Sequence, residues 1–214
     1  MSSTTVDITD RRTVEERRTQ LVDAAVEVLA AEGLERATTR RITDHAGLAL
    51  GAFHYAFRSK RDLIEAVMGR VIDSTESALR SALDALEPAL AAGASADEAL
   101  GRAIETFWRG VEASPQLQLA QRELTVHALR DPALRPVAQQ QYDRYARAVE
   151  LLLERVPGVP SGQARADLAR FLVATLDGLA LHRLVDEDPA AGDRRLALFV
   201  DTLRALLDRE PTTA

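Results

Sequence analysis

The chain has no cysteine, one tryptophan, aromatic residues at only 4%, and a single lysine, Lys60, among 27 basic residues. Asparagine is missing altogether. Without cysteine there can be no disulfide, thiolate catalysis or cysteine-ligated metal, and a reducing cytoplasm is a compatible location. No apolar run approaches the length of a membrane span, and Met1–Asp10 lacks the apolar stretch of a signal peptide, so a cytoplasmic protein without a membrane partner is expected. Sustained apolar/polar alternation and hairpin turn signals are absent, which leaves no strand pattern. Also absent are the phosphate-binding loops G-x-x-x-x-G-K-[ST] and G-x-G-x-x-G, the nucleophile elbow G-x-S-x-G and the metal motif H-E-x-x-H. His45, His54, His127 and His182 show no paired ligand spacing. No catalytic residue, metal or cofactor is therefore expected, and the chain does not read as an enzyme.

What is present reads as an all-α protein of 214 residues, 46% hydrophobic and 28% charged, large enough for a substantial core. Its formal charge of -6 is unevenly spread, because residues 1–60 carry nine basic and nine acidic side chains, so the excess acid lies beyond them. Within Thr38–Lys60, TTRRITDHAGLALGAFHYAFRSK, Arg40, Arg41, Arg58 and Lys60 face only Asp44. This stretch reads as a helix-turn-helix, with Ile42 and Ala46 on the buried side of the first helix and Phe53 and Phe57 on that of the second. Gly47 falls where a residue past a helix end turns left-handed, and Leu48 can close over the apolar side. The second helix, Leu50 to Ala56, would expose Leu50, Gly51, Ala52, His54 and Tyr55, an uncharged face able to approach base edges. Lys60, kept where the composition elsewhere prefers arginine, suits a phosphate contact at the start of a helix.

In chain order, Thr13 and Glu16 form a capping box for a first helix with the stripe Leu21, Ala24, Ala25, Val28 and Leu29, ended by Gly33; residues 1–10 read as a loose arm. From Arg61 a long amphipathic helix runs until Pro88 and Gly93 break it. One further helix carries Ala99, Ala103, Ile104 and Phe107 to Val111 and ends near Ser114–Pro115; others occupy Gln116–Arg130 and a segment beginning at Pro132 or Pro136 and reaching Val156. The last two span Arg165–Asp186 and, from an Asp193 cap, the stripe Leu196 to Leu207. Apolar residues lie on more than one face of the former, so it needs a second cover, and Ala174 and Gly178 would let another helix come close. These features predict dimerisation through both helices, with Phe171, Ala174, Gly178, His182, Phe199 and Leu203 at the contact. Domains are drawn at 1–60, an arm with a helix-turn-helix, and 61–214, a ligand-binding and dimerisation bundle, with about nine helices in all.

Thr13–Met68 resembles the N-terminal domain of the tetracycline-repressor (TetR) family of bacterial transcriptional regulators, whose pattern T-x-x-x-I-A-x-x-A-G-[VL]-S-x-G-x-[LF]-Y-x-H-F-x-x-K-x-x-L is matched at Thr38, Ile42, Ala46, Gly47, Leu48, Gly51, Phe53, Phe57, Lys60 and Leu63. The chain departs from it at Thr43, Ala49, His54 and Ala56. Losing the serine at position 49 removes a side-chain N-cap worth about 1 kcal/mol. By resemblance, Thr38 would cap the first short helix and touch a phosphate beside Arg40 or Arg41. Leu50, Gly51, Ala52 and His54 would face the major groove, while Tyr55 and Lys60 hold phosphates.

The resemblance implies a homodimeric regulator of double-stranded DNA, a repressor released from a palindromic operator by a small, largely apolar effector. Trp108, Glu123 and His127 are the candidate ligand residues, since Glu123 and His127 share one helix face and could orient a molecule beside Trp108. A helical small-molecule-binding protein without working DNA binding is the alternative. The basic segment argues against it.

Overall fold

Nine α-helices carry the regular structure of the described residues, 4–207, in the computed structural model, and no strand occurs among those residues. They are α1 (Thr4–Glu32), α2 (Thr39–His45), α3 (Leu50–Ala56), α4 (Lys60–Ala91), α5 (Ala96–Glu112), α6 (Pro115–Arg130), α7 (Arg135–Glu154), α8 (Gln163–Val185) and α9 (Pro189–Leu207). The all-α expectation and the order of elements hold.

Several boundaries move, each for a local reason. α1 begins at Thr4, so the Thr13–Glu16 capping pattern falls inside it and residues 4–10 are helical rather than a loose arm. No Gly or Pro precedes Thr13 to stop a helix from extending backwards. Residues 1–3 of that arm lie outside the described residues. Pro88 does not end α4 but sits within its last turn. The break comes at Gly93 (φ +87°), where Ala94 N–H donates to Ala89 O at 3.0 Å. Pro136 falls in the first turn of α7, which resolves the choice between the two prolines. α9 starts at Pro189 rather than at an Asp193 cap, with Asp188 Oδ1 accepting from Ala190 N–H at 2.9 Å. Proline at the first helical position lacks the donor that would be orphaned there anyway. Ser95 and Glu98 form a reciprocal capping box on α5.

By contacts the chain divides into one unit of Met1–Asp73 with Gln116–Gln139 and another of Ser74–Pro115 with Gln140–Ala214. The boundary drawn from sequence at residue 60 therefore does not coincide with the compact units. The first core gathers Leu21, Val28, Ile42, Phe53, Phe57, Leu63 and Val67, and α6 adds Ala120, Leu124 and Ala128 to it. Periodicity marks the apolar face of α6 but cannot say which core receives it. The second core holds Leu86, Ala103, Trp108, Leu153, Leu172, Phe199 and Leu203.

Candidate nucleic-acid interface

Thr38 stands just outside α2 in extended conformation (φ -79°, ψ 155°), and its Oγ1 accepts from Arg41 N–H at 3.2 Å. The helix ends in a Schellman motif: Gly47 adopts φ +67°, its N–H donates to Asp44 O at 3.2 Å, and Leu48 N–H donates to Thr43 O at 2.9 Å. Thr43 is fully buried, yet its hydroxyl is satisfied by donating to Arg40 O at 3.0 Å. Ala49 precedes α3 with no side-chain cap. The inward side of α3 is anchored by Phe53 and Phe57, both buried, with ring centroids 5.6 Å apart.

The outward side of α3 leaves Leu50 48% and Tyr55 76% exposed, with Gly51 and His54 exposed and Ala52 half-buried. A Cβ on Gly51 would meet nothing within 4 Å, so this surface is open to close approach. His54 lies edge-on to Phe53, with ring centroids 5.5 Å apart. Arg40 and Lys60 are exposed, Lys60 as the first residue of α4. Arg41 differs, because its Nε donates to Glu32 Oε1 at 2.8 Å and its Nη2 to the same oxygen. That contact holds the Glu32 carboxyl below its usual range. Between the two candidate arginines, the structure thus leaves Arg40 the more available for a phosphate.

Arg18, which the sequence reading passed over, binds the end of the exposed helix to two others. Its Nη1 donates to Ala56 O at 2.8 Å, its Nη2 to Asp62 Oδ1 at 3.1 Å, and its guanidinium carbon lies 4.2 Å from the Phe57 ring centroid. Asp62 in turn accepts from Arg58 N–H at 3.0 Å and donates its own N–H to Ser59 Oγ at 3.2 Å. The Arg58 bond and then Arg18 hold its carboxyl below the usual range. One signal could have exposed Arg18: it lies three residues before Leu21 on the apolar stripe of α1, where an unpartnered charge would be costly.

The three candidate ligand residues are not brought together in one unit. Trp108 is 3% exposed in the core of the second. Glu123 belongs to the first, where its Oε2 accepts from Leu34 N–H at 2.7 Å and lies 3.3 Å from where a Cβ on Gly33 (φ +81°) would stand. His127 shares an open groove of about 630 Å³ with Glu123, Arg36, Arg122 and Arg130. Glu123 is therefore committed to the turn after α1, a long-range partner that no local spacing reveals. A different buried polar set crosses the second unit, in which Tyr145 O–H donates to Thr75 Oγ1 at 3.2 Å and Gln141 Nε2 donates to Tyr145 Oη at 3.4 Å. Burial pushes the Tyr145 hydroxyl up to about 12.

Of the six residues expected at a dimer contact, Phe171, Ala174, Gly178 and His182 are exposed along one face of α8, joined there by Leu181 and Val185. A Cβ on Gly178 would meet nothing within 4 Å. Phe199 (8% exposed) and Leu203 (2%) instead face their own chain's core, while Leu198, 67% exposed, is turned outward from α9. A stripe read from helical spacing does not reveal whether its apolar side points to its own core or to a partner.

Residues 21–67 match the family model described as bacterial regulatory proteins, tetR family, and residues 94–209 match that of the tetracyclin repressor-like C-terminal domain. The HTH-type nicotine-responsive transcriptional repressor HdnoR of Paenarthrobacter nicotinovorans is 28% identical over 196 residues, 91% of this chain and 95% of the relative. The HTH-type transcriptional regulator BetI of Escherichia coli O17:K52:H18 is 27% identical over 173 residues, 81% of this chain and 85% of its own. Among solved structures, the multidrug binding protein EbrR complexed with malachite green superimposes with a TM-score of 0.61 at 26% identity, covering 86% of this chain and 95% of that one. A transcriptional regulator from Rhodococcus sp. Rha1 gives a TM-score of 0.69 at 23% identity, covering 91% and 99%, a likeness of fold alone.

Proposed function

Since the chain belongs to the tetracycline-repressor family of bacterial regulatory proteins, we propose that it is a homodimeric repressor that binds a palindromic operator and leaves it when a small, largely apolar effector enters the second unit. The observation that carries the DNA-binding half is α3, whose aromatic side is locked into the core while Leu50, Gly51, His54 and Tyr55 stand exposed beside Arg40 and Lys60. A helix held from behind with an uncharged, partly apolar front suits the major groove, and flanking cations suit phosphates. With no asparagine in the chain and no glutamine in this segment, readout rests on arginine, on thymine methyls against Leu50 or Ala52, and on DNA shape. The effector half draws on the relatives, one named nicotine-responsive and one complexed with malachite green.

Sequencing the fragments that the purified protein retains from its own genome tests this reading, with a two-fold symmetric site as the expected result. Lys60→Ala should weaken all DNA alike and lower the salt slope by about one charge, whereas His54→Ala should change base preference more than affinity. Failure to enrich any sequence would leave the small-molecule-binding alternative.

A further inference from the structure

Trp108 is the chain's only tryptophan. It is 3% exposed, and among the described residues its Nε1–H, itself buried, finds no acceptor. Tryptophan placed in a core ordinarily finds a partner for that group, and a phenylalanine would fill much of the same space without an unmet donor. The surroundings along α5 are aliphatic: Leu100, Ala103, Ile104 and Val111 are buried with it in the second core. Nearby charges on α5 are engaged elsewhere, with Glu105 and Arg109 exposed and Glu112 accepting from Arg183 Nε at 3.2 Å.

Resting on the reading that the second unit takes the effector, we propose that Trp108 Nε1–H is the donor that orients it, and that the effector is a largely apolar molecule carrying a hydrogen-bond acceptor, such as a heteroaromatic nitrogen or a carbonyl. The acceptor requirement follows from the donor, whose cost is relieved only by a ligand able to accept from it. This assignment replaces Glu123 and His127 as the polar anchors.

Quinoline and naphthalene have nearly the same shape, and only quinoline carries an acceptor. Titrated calorimetrically into the full-length protein, quinoline should bind roughly tenfold more tightly than naphthalene. In Trp108→Phe its affinity should fall to that of naphthalene while naphthalene's stays within about twofold. A second measurement does not depend on the variant's folding: the single indole N–H resonance of the wild type, observed with ¹⁵N labelling, should move downfield with quinoline and not with naphthalene. Equal affinities, absence of binding by quinoline, a gap that survives in a folded Trp108→Phe, or equal movement of the resonance would each overturn the proposal. Operator retention is measured separately. Its loss would remove the DNA-binding reading and leave this site standing, and a failed quinoline preference would do the reverse.

Discussion

At the scale of single residues, Arg18 and Tyr145 show how one side chain can serve several elements. Arg18 joins the last carbonyl of α3, the capping carboxylate of α4 and the face of Phe57. Its ion pair with Asp62 is about one third exposed, so the charge alone contributes little. Removing the hydrogen bond to Ala56 and the contact over the ring should still destabilise the protein by about 1–2 kcal/mol. Arg18→Ala is thus expected to lower the unfolding midpoint and weaken operator binding with an unchanged salt slope, because Arg18 is engaged within its own chain and acts by holding α3, the helix proposed to read DNA. Arg18→Lys should recover only part of the loss, lacking the planar fork.

Tyr145 gives a pH prediction. Its hydroxyl pKa, raised by burial to about 12, lies above its ordinary value of 10.0, so the folded state resists ionisation. The stability this contributes is fully present below pH 10.0 and is lost as pH rises towards about 12, a difference on the order of 2–3 kcal/mol. Alkaline unfolding followed by circular dichroism should show that loss in the wild type, and Tyr145→Phe should remove most of it.

At the scale of elements, α3 is short and uncapped, since Ala49 supplies no side-chain acceptor for the first turn. A seven-residue helix has little stability of its own and depends on Phe53, Phe57 and Arg18 for its order. Ala49→Ser, at a backbone already extended (φ -65°, ψ 147°), should add the missing cap. An increase of about 0.5–1 kcal/mol in unfolding free energy is expected, together with greater hydrogen-exchange protection at Gly51 and Ala52. No gain by either measure would mean that the hydroxyl points away from the helix end. α6 shows the converse case, in which a helix matched by the regulatory-domain model contributes its apolar side to the helix-turn-helix core. Through Glu123 it also fastens the turn after α1.

At the scale of the whole molecule, the exposed stripe of α8 is the feature most in need of a partner. Phe171, Leu181 and Val185 are 51%, 49% and 73% exposed, with Ala174 and Gly178 between them. Monomers rarely leave such a patch wet, and small residues at its centre permit close helix approach across a two-fold axis. Light scattering at micromolar concentration should therefore report a dimer. Gly178→Arg, placed in open space within the chain, should leave the monomer folded and abolish the dimer. Operator affinity should fall with it, because two half-sites are then no longer bound as one. A dimer that survives the substitution would place the contact elsewhere.

The sequence by itself determined the helical class, the order of the elements, the Thr38 cap, the Gly47 turn and the inward aromatics of α3, because each depends on residues within one or two helical turns. Tertiary structure decided which core received α6, that Glu123 would serve a turn 89 positions away in sequence, and that Arg41 would be held by Glu32. It also turned Phe199 and Leu203 inward while leaving Phe171 and Leu198 outside. Helical periodicity gives the direction of an apolar face but not what lies opposite it, and a long charged side chain reaches whichever partner the packed helices bring within its length.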